Sequence, residues 1–359
     1  MKAKILELLR RKGDYVSGQE LCTILQVSRT AVWKAMQSLQ KEGYRIEAVR
    51  NRGYRLVEDV PCSDASTEAN SLKPAPDIYS KNEILSRLSE ESGVSSVVFL
   101  DTVDSTNSEC VRRYEAGAAP GLLVASDDQS LGRGRRGRTW ISPPGCNVYF
   151  SFLCRPDVKP EKAPMLTLLM ALAVCMGMEK IRYGEVLRTS GRQKKTVRDQ
   201  ASPMIKWPND IVISGRKCCG MLTEMSCEPD YIRHVVIGVG INVRHHGFDP
   251  SIADTAISLD DALGLSVKRS LLVAEIMNEF GPLLKRFEKE GNLGFIRNAY
   301  LDRLANAGKT VRVLDPAGEY EGRARGISET GELLVELEDG SIREVNSGEV
   351  SVRGIYGYV

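Results

Sequence analysis

The alternation of apolar and polar residues at the start of the chain predicts two short helices. Apolar residues at positions 5, 6, 8 and 9 share one face of an amphipathic helix that ends at Gly13-Asp14. Ser17, with Glu20 three residues later, has the spacing of a capping box for a second helix. Its apolar face would be formed by Leu21, Ile24 and Leu25.

The next pattern predicts a third helix and a β-hairpin. Ser28 is a suitable N-cap for a helix from Arg29 to about Gln40, with Val32, Met36 and Leu39 facing inward. The outward positions are Arg29, Thr30, Trp33, Lys34 and Gln37. The alternating residues 44–56 then read as a hairpin. Together these elements predict a winged helix-turn-helix over residues 1–57.

Further along, the pattern indicates a mixed central domain over residues 78–305. The strand-like run Val97–Leu100 leads into Asp104-Ser-Thr-Asn107 and a helix predicted from Ser108 to about Gly117. The apolar run Ala163–Met178 is shorter than the roughly 20 residues that span a bilayer, which favours a core helix. A third apolar run, 235–237, precedes Gly238-Val-Gly-Ile-Asn242.

The remaining segments are a linker, an insertion and a β-module. Residues 58–77 are polar and contain three prolines, as linkers do. Residues 184–203 form a basic, polar stretch that we interpret as a surface insertion. Short alternating strands within 310–345 predict a small SH3-like barrel over 306–359. The fold class is therefore α+β.

Charge is distributed unevenly along the chain. The whole chain carries +2, but residues 1–57 hold twelve Lys and Arg against five Asp and Glu, a net of +7. Arg29, Lys34, Arg50, Arg52 and Arg55 fall on the predicted recognition helix and wing, where phosphates of DNA would lie. The alternative is a protein-binding three-helix module. Trp33 is either a base contact or a partly buried surface anchor.

The cysteines and histidines point away from a zinc protein. Nine cysteines include no C-x-x-C pair, and only three histidines are present. No signal peptide pattern follows Met1. We therefore expect reduced thiols and a cytoplasmic location, with no membrane partner.

One loop is strongly suited to binding an anion. Gln129-Ser-Leu-Gly-Arg-Gly-Arg-Arg-Gly-Arg138 contains four arginines and two glycines within residues 133–138. Glycines let the backbone approach a ligand, and arginines present forked donors to phosphate or carboxylate oxygens. A disordered Arg/Gly-rich segment is the alternative, and the flanking apolar runs argue against it.

These motifs carry a family resemblance. The chain resembles the bifunctional biotin protein ligases that are also biotin operon repressors, which have a winged helix, a ligase domain related to class II synthetases and an SH3-like domain. The matching elements, in the family's order, are D-S-T-N at 104–107, Q-x-x-G-R-G-R-R-G-R at 129–138, K-W-P-N-D at 206–210, R-K-x-x-G at 216–220 and G-x-G-I-N at 238–242.

The resemblance implies an activity and its partners. Biotin and ATP would form biotinyl-5′-adenylate, and the biotinyl group would pass to a lysine of a biotin carboxyl carrier protein. The adenylate-bound protein would form a homodimer on operator DNA. No Ser-His or Cys-His nucleophile is indicated, so stabilisation must be electrostatic.

The resemblance also implies roles for individual residues. Lys217, Arg133 and Arg135 would be catalytic, although Lys217 could be a surface lysine at a hairpin tip. Ser105 and Thr106 could simply cap a helix, Trp140 could be a core residue, and Asp210 could serve a turn. Biotin would be bound by Ser105, Thr106, Asn107, Gln129, Arg133, Gly134, Arg135, Lys217, Gly220, Gly238 and Gly240. ATP would be bound by Arg135, Trp140, Lys206, Asn209 and Asn242, Mg²⁺ by Asp210, and DNA by Ser28, Arg29, Thr30, Trp33, Lys34, Arg50 and Arg52.

Two departures and three rival interpretations accompany the resemblance. Residues 184–203 would be an insertion where shorter relatives connect helix to strand more directly. Cys218-Cys219 stands where small apolar residues are expected, which leaves sensitivity to oxidation open. The rivals are a biotin-sensing regulator without catalysis, a lipoate ligase, and a ligase with a vestigial DNA-binding head.

Overall fold

The computed structural model describes residues 1–58, 76–189, 202–244, 247–315, 318–346 and 351–354. At the amino terminus three helices pack around one small core and are followed by an antiparallel hairpin. These elements are α1 (Lys2–Lys12), α2 (Gly18–Leu25), α3 (Arg29–Lys41), β1 (Ile46–Val49) and β2 (Gly53–Leu56). The predicted winged helix-turn-helix is confirmed.

Local signals explain most of these boundaries. Gly13 ends α1 in a left-handed conformation with φ of 65°. The hydroxyls of Ser17 and Ser28 accept hydrogen bonds from the backbone N–H groups of Glu20 and Ala31, as predicted for N-caps. The Glu20 carboxylate, however, pairs with Lys12.

One residue of the predicted head core was assigned wrongly. Ile24 is 45% exposed, whereas Leu21 on the same helix is fully buried. The helix has only eight residues and contacts the core along a narrow stripe, so the 3.6-residue period alone overestimates its buried face.

A seven-stranded sheet forms the centre of the molecule. Its strand order is β3-β4-β5-β9-β8-β7-β6, and among these described strands β3 and β4 pair in parallel while the other neighbours are antiparallel. The strands are β3 (Ser96–Val103), β4 (Leu122–Gln129), β5 (Val148–Cys154), β6 (Met204–Lys206), β7 (Asp210–Ile213), β8 (Arg216–Cys227) and β9 (Ile232–Ile241). The accompanying helices are α4 (Lys81–Leu85), α5 (Thr106–Glu115), α6 (Met165–Thr189), α7 (Leu259–Leu263), α8 (Arg269–Glu290) and α9 (Arg297–Leu301).

The two faces of this sheet are covered differently. Helices α6 and α8 share the main hydrophobic core with one face, where Phe152 meets Phe280 edge to face at 5.7 Å between ring centroids. Helix α5 contributes Cys110 to a smaller cluster on the other face, together with Leu122 and Leu153. Helix α6 is long and apolar enough to cross a membrane, but 72% of its apolar window is buried inside the protein. The prediction of a core helix is confirmed.

The carboxyl-terminal strands form a five-stranded antiparallel sheet in the order β13-β12-β11-β10-β14. They are β10 (Thr310–Leu314), β11 (Tyr320–Ile327), β12 (Leu333–Glu336), β13 (Ile342–Val345) and β14 (Ser351–Gly354). The first four match the predicted strands. The last pairs back with β10, as expected for a small barrel. The α+β fold class is confirmed.

The predicted linker and insertion lie mainly outside the described residues, which omit 59–75 and 190–201. The last residue of the predicted linker, Asp77, is described. The Asp77 carboxylate accepts hydrogen bonds from Arg269 and Arg244, so Asp77 is anchored to the central domain. Tyr79 nearby is buried and contacts Phe99 edge to face, with ring centroids 5.0 Å apart. Asp77 thus belongs with the central domain rather than with the linker.

Candidate functional site

A patch of three glycines lies on the face of the sheet that carries α5. Gly240 pairs with Gly220 across β8 and β9, and Gly238 lies between Ser151 and Leu222. A Cβ atom at Gly238 would lie 2.2 Å from Asn107 Oδ1, and one at Gly240 would lie 2.7 Å from Trp140 Cε2. The glycines are needed here because side chains from other segments lie directly on the strands.

A β-bulge brings Lys217 to this patch. Residues three apart on a regular strand face opposite sides of the sheet. Between β7 and β8 the register shifts: Ile211 pairs with Cys219 and Val212 with Lys217, which leaves Cys218 as an extra residue. Lys217 therefore lies on the same side as Gly220, where Nζ would be 3.1 Å from an added Cβ. Lys217 is near the start of β8, and the turn itself is formed by Ser214-Gly215.

The D-S-T-N turn starts α5 two residues earlier than predicted. Ser105 is the N-cap residue, but its side chain makes no capping hydrogen bond. Thr106 instead donates through its backbone N–H and its hydroxyl to Gln129 Oε1, at 2.9 and 3.1 Å. Asp104 has a structural role, because hydrogen bonds from Arg112 lower the pKa of its carboxyl to about 2.

Asn107 belongs to a buried hydrogen-bond network. Its Oδ1 accepts from the Ser151 hydroxyl at 2.6 Å, and its Nδ2 donates to Glu224 at 2.7 Å and to the Leu222 carbonyl at 3.2 Å. The Ser151 hydroxyl is also 2.7 Å from Thr106 Oγ1. These contacts fix the turn against β5 and β8.

The glycine-arginine loop, residues 129–138, is folded back over this patch. Gly134 N–H donates to the Arg138 carbonyl, and Trp140 N–H to the Gly132 carbonyl. Arg133 contacts Glu224 at 2.9 Å, and Arg135 donates to Asn209 Oδ1 at 2.8 Å. Burial, followed by the neighbouring Arg136, lowers the pKa of Arg135. An ordered loop is thus present, and the disordered alternative does not describe it.

Lys217 and Asp210 form an ion pair, with Nζ and Oδ1 separated by 2.6 Å. Lys217 Nζ also lies 5.5 Å from the centroid of the Trp140 ring. The lysine is therefore held between an aromatic face and a carboxylate rather than extended into solvent, unlike the surface lysine considered above.

Trp140 fills much of the site. Its ring lies against both Gly220 and Gly240, and its indole N–H is buried without a hydrogen-bond partner. The remaining cavity measures about 50 Å³. Pockets for drug-sized ligands measure about 300–1,000 Å³, so residues that line this cavity must rearrange to admit a ligand of that size.

Most of the predicted biotin and ATP ligands line this one cavity. The exceptions are Lys206, Asp210 and Asn242, which are absent from its lining, although Asp210 reaches it through Lys217. Asn242 is buried where β9 ends. The predicted residues that line the cavity are Ser105, Thr106, Asn107, Gln129, Arg133, Gly134, Arg135, Trp140, Asn209, Lys217, Gly220, Gly238 and Gly240.

Sequence reasoning missed Glu224, Ser142 and Ser151. Glu224 had a usable signal, since it follows Gly220 by an even number of residues on one strand and so faces the same side. Ser142 accepts a hydrogen bond from Gln129 Nε2 at 3.2 Å. Neither serine belongs to a recognisable spacing, because their partners come from distant segments.

The predicted DNA-contacting surface is exposed on the head. Arg29, Thr30, Trp33 and Lys34 lie on the outer side of α3, and Trp33 is 51% exposed. Ser28 uses its hydroxyl as a cap. At the wing, Arg50 is exposed and Arg52 lies over the Tyr15 ring at 4.3 Å.

Arg55 is less available to bind a DNA phosphate than the sequence predicted. Its guanidinium pairs with Glu47 at 2.8 Å and lies 5.0 Å from the Tyr15 ring centroid. Because β1 and β2 are directly opposed at Glu47 and Arg55, the hairpin satisfies this arginine internally.

Comparisons with known proteins agree with the three parts of the fold. The model described as the biotin/lipoate A/B protein ligase family matches residues 100–242. An HTH domain matches residues 2–55, and the biotin protein ligase C terminal domain matches residues 307–353.

Relatives match over nearly the full length. The chain is 34% identical to the bifunctional ligase/repressor BirA of Bacillus subtilis over 98% of both chains. It is 32% identical to the Escherichia coli protein of the same name, covering 98% of this chain and 96% of the relative. Among solved structures, the biotin protein ligase of Aquifex aeolicus in complex with biotin and ATP is 28% identical, with a TM-score of 0.59 over 72% of this chain and 99% of the other.

The fold and the matched regions define a ligase of the biotin/lipoate class with a DNA-binding head. This chain belongs to the family of bifunctional biotin protein ligase/repressors. The predicted family is confirmed.

Proposed function

We propose that this chain joins biotin to ATP as biotinyl-5′-adenylate and passes the biotinyl group to a lysine of a biotin carboxyl carrier protein. The observation that carries the proposal is the convergence of Lys217, Arg133 and Arg135 on one glycine-lined cavity that also contains Thr106 and Gln129. Cations from separate segments would offset the charge of a carboxylate held beside a phosphate.

In the first step a carboxylate oxygen of biotin attacks the α-phosphorus of ATP. The bond from this phosphorus to the bridging oxygen breaks, and pyrophosphate leaves. Lys217 would release Asp210 and contact the crowded oxygens, while Ser105, Thr106 and Gln129 would bind the ureido ring through hydroxyl and amide groups. Asn209 and Trp140 would bind the nucleotide.

In the second step the uncharged amine of the acceptor lysine attacks the activated carbonyl carbon. The carbon–oxygen bond to AMP breaks, AMP leaves, and the amine proton passes to solvent. Before this attack, water must be kept from the mixed anhydride. The loop bearing Arg133 and Arg135 already folds over the cavity, so it is suited to that exclusion.

A magnesium ion fits this site only together with its substrate. Among the described residues no group of three or more His, Cys, Asp or Glu could hold a metal. Magnesium is commonly bound by one or two carboxylates together with substrate phosphates, and Asp210 could supply such a carboxylate. When bound, the ion would neutralise phosphate charge.

The head would bind operator DNA and repress biotin operon genes, with the adenylate as corepressor and a homodimer as the bound form. The exposed side of α3 and the wing support this proposal. We also propose a cytoplasmic location, consistent with the free cysteines of the described residues, five of which are buried, and with the burial of α6. Operator binding, measured at several salt concentrations with and without biotin and ATP, tests the proposed repressor role. Binding that does not depend on biotin would contradict corepression.

Biotin-dependent exchange of pyrophosphate with ATP tests the ligase directly. Lys217→Ala should reduce exchange by about 100-fold or more, which is typical for loss of one electrostatic stabiliser. Lys159→Ala removes an exposed lysine elsewhere and should leave exchange unchanged. Exchange supported by lipoate in place of biotin would favour the lipoate rival, and no exchange with either acid would favour the non-catalytic regulator.

A further inference from the structure

Glu224 is a charged residue at the site to which the proposed function assigns no role. It lies on β8 and is 36% exposed. Its Oε2 accepts two hydrogen bonds, from Asn107 Nδ2 at 2.7 Å and from Arg133 Nη2 at 2.9 Å. It therefore joins the D-S-T-N turn to the glycine-arginine loop.

The Asn107 side of this junction is rigid. Asn107 is 4% exposed, and the fully buried Ser151 donates to its Oδ1. Its Nδ2 also donates to the Leu222 carbonyl. The amide cannot rotate without losing these bonds, so Glu224 is oriented by a buried framework.

The Arg133 side belongs to the loop. The Arg133 side chain is 46% exposed, and Nη2 also lies 3.3 Å from the Ser108 hydroxyl. Arg135 binds the neutral amide of Asn209, whereas the contact between Arg133 and Glu224 joins opposite charges. Charge-assisted hydrogen bonds are roughly twice as strong as neutral ones.

The geometry of the guanidinium indicates that Glu224 anchors Arg133 rather than competing with a ligand for it. Arginine has five N–H donors, and both contacts of Arg133 given above use Nη2. The N–H groups of Nε and Nη1 take no part in these two contacts. A guanidinium held at Nη2 loses less conformational freedom when its other N–H groups bind an anion.

We propose that Glu224 is a positioning residue that holds Arg133, and with it the glycine-arginine loop, over the bound adenylate. The inference rests on the proposed function, because it assumes that this loop covers biotinyl-5′-adenylate. By keeping the arginine in place, Glu224 lengthens the time for which the intermediate stays bound without touching the reacting atoms.

The rate of adenylate release tests the role. In the full-length protein, Glu224→Gln should release preformed biotinyl-5′-adenylate about threefold to tenfold faster, since it replaces a charge-assisted bond with a neutral one. Glu228→Gln is the matched control: it removes the same charge from the turn between β8 and β9, where Glu228 pairs with Arg233.

A double-mutant cycle shows whether Glu224 acts through Arg133. Arg133→Ala should speed release, and adding Glu224→Gln to it should have no further effect. An equal effect of Glu224→Gln in both backgrounds would assign its action to Asn107 and overturn the proposal. Slower release from Glu224→Gln, or release at the rate of the Glu228→Gln control, would also overturn it.

The same cycle separates this inference from the proposed function. If Arg133→Ala leaves release unchanged, the assignment of the loop as a cover over the adenylate fails. If Arg133→Ala speeds release but Glu224→Gln does not, the cover stands and only the role of Glu224 fails.

Discussion

Cys218 and Cys219 lie between Lys217 and Gly220, close to the candidate catalytic lysine. Both side chains are fully buried in the main core. Burial raises the pKa of Cys218 to about 12 and that of Cys219 well above its ordinary value. The thiolate is the reactive form, so this environment argues against the oxidation sensitivity that the sequence left open.

We predict that these thiols resist alkylation at pH 8. A raised pKa leaves less thiolate at a given pH, so iodoacetamide should label the exposed Cys227 and leave Cys218 and Cys219 unmodified until the protein is denatured. Mass spectrometry of peptides before and after denaturation makes the comparison. Labelling of Cys218 in the native protein at the rate of Cys227 would contradict the prediction.

Among single residues of the candidate site, the sequence predicted those that belong to short motifs and missed those whose role depends on partners far away in the chain. Lys217, Arg133 and the glycines belong to short spacings that the sequence shows directly. Glu224 shows only its even spacing from Gly220, and an acidic residue beside an anion site makes sense only once Asn107 and Arg133 are known to contact it. Lys206 and Asn242 were assigned by motif alone, and neither lines the cavity.

Helices α6 and α8 pack closely against each other on one face of the central sheet. At Gly177, on α6, an added Cβ would lie 2.8 Å from Ile276 Cγ1 and 3.0 Å from the Ile276 backbone nitrogen. Because part of the obstacle is backbone, a side-chain rotation cannot relieve it. The sequence indicated the apolar run of α6, but not the contact with α8, which depends on residues about one hundred positions later.

Gly177→Ala should therefore destabilise the protein, despite the higher helix propensity of alanine. Overpacking of this kind costs about 1–3 kcal/mol, which should lower the melting temperature. Gly184→Ala, in the same helix, meets nothing within 4 Å and should be neutral or gain up to about 1 kcal/mol. Calorimetry measures the melting temperatures of both variants. If Gly177→Ala melted at the same temperature as Gly184→Ala, α6 and α8 would be able to move apart without loss of stability, and the prediction would be wrong.

Across the whole molecule, the head is docked on the central domain through a buried ion-pair cluster. Arg10 on α1 contacts both oxygens of Glu83 on α4, at 2.6 and 2.7 Å, and also pairs with Glu58. Burial opposes ionisation of Glu83, but Arg87 and Arg10 outweigh it and leave the pKa of this carboxyl below its ordinary value. Ile78 packs against the hydrophobic core of the head.

Loss of this docking should affect DNA binding more than catalysis. Arg10→Gln leaves Glu83 with one arginine partner, so the head should lose its fixed direction and affinity for a two-half-site operator should fall by about tenfold, equivalent to 1.4 kcal/mol. Fluorescence anisotropy on operator and on unrelated DNA, beside pyrophosphate exchange, measures the difference. Arg11→Gln, at the exposed neighbouring position, should change neither; equal losses in both variants would mean that total charge alone is responsible.

The arginine–glutamate pairing also predicts a pH dependence. A carboxyl with a lowered pKa stabilises the docked arrangement above its ordinary pKa of about 4.3, and that contribution is lost as the pH falls through the lowered value. Between pH 6 and 8 the Glu83 carboxyl stays ionised, so its titration should not change operator affinity in this range.

Cys218 is the extra residue of the bulge in the R-K-x-x-G element. It therefore determines which side of the sheet Lys217 faces, as well as how far Lys217 lies from Gly220. On a straight strand with the same number of residues, the ammonium group would face the hydrophobic side of the sheet, because residues three apart lie on opposite faces.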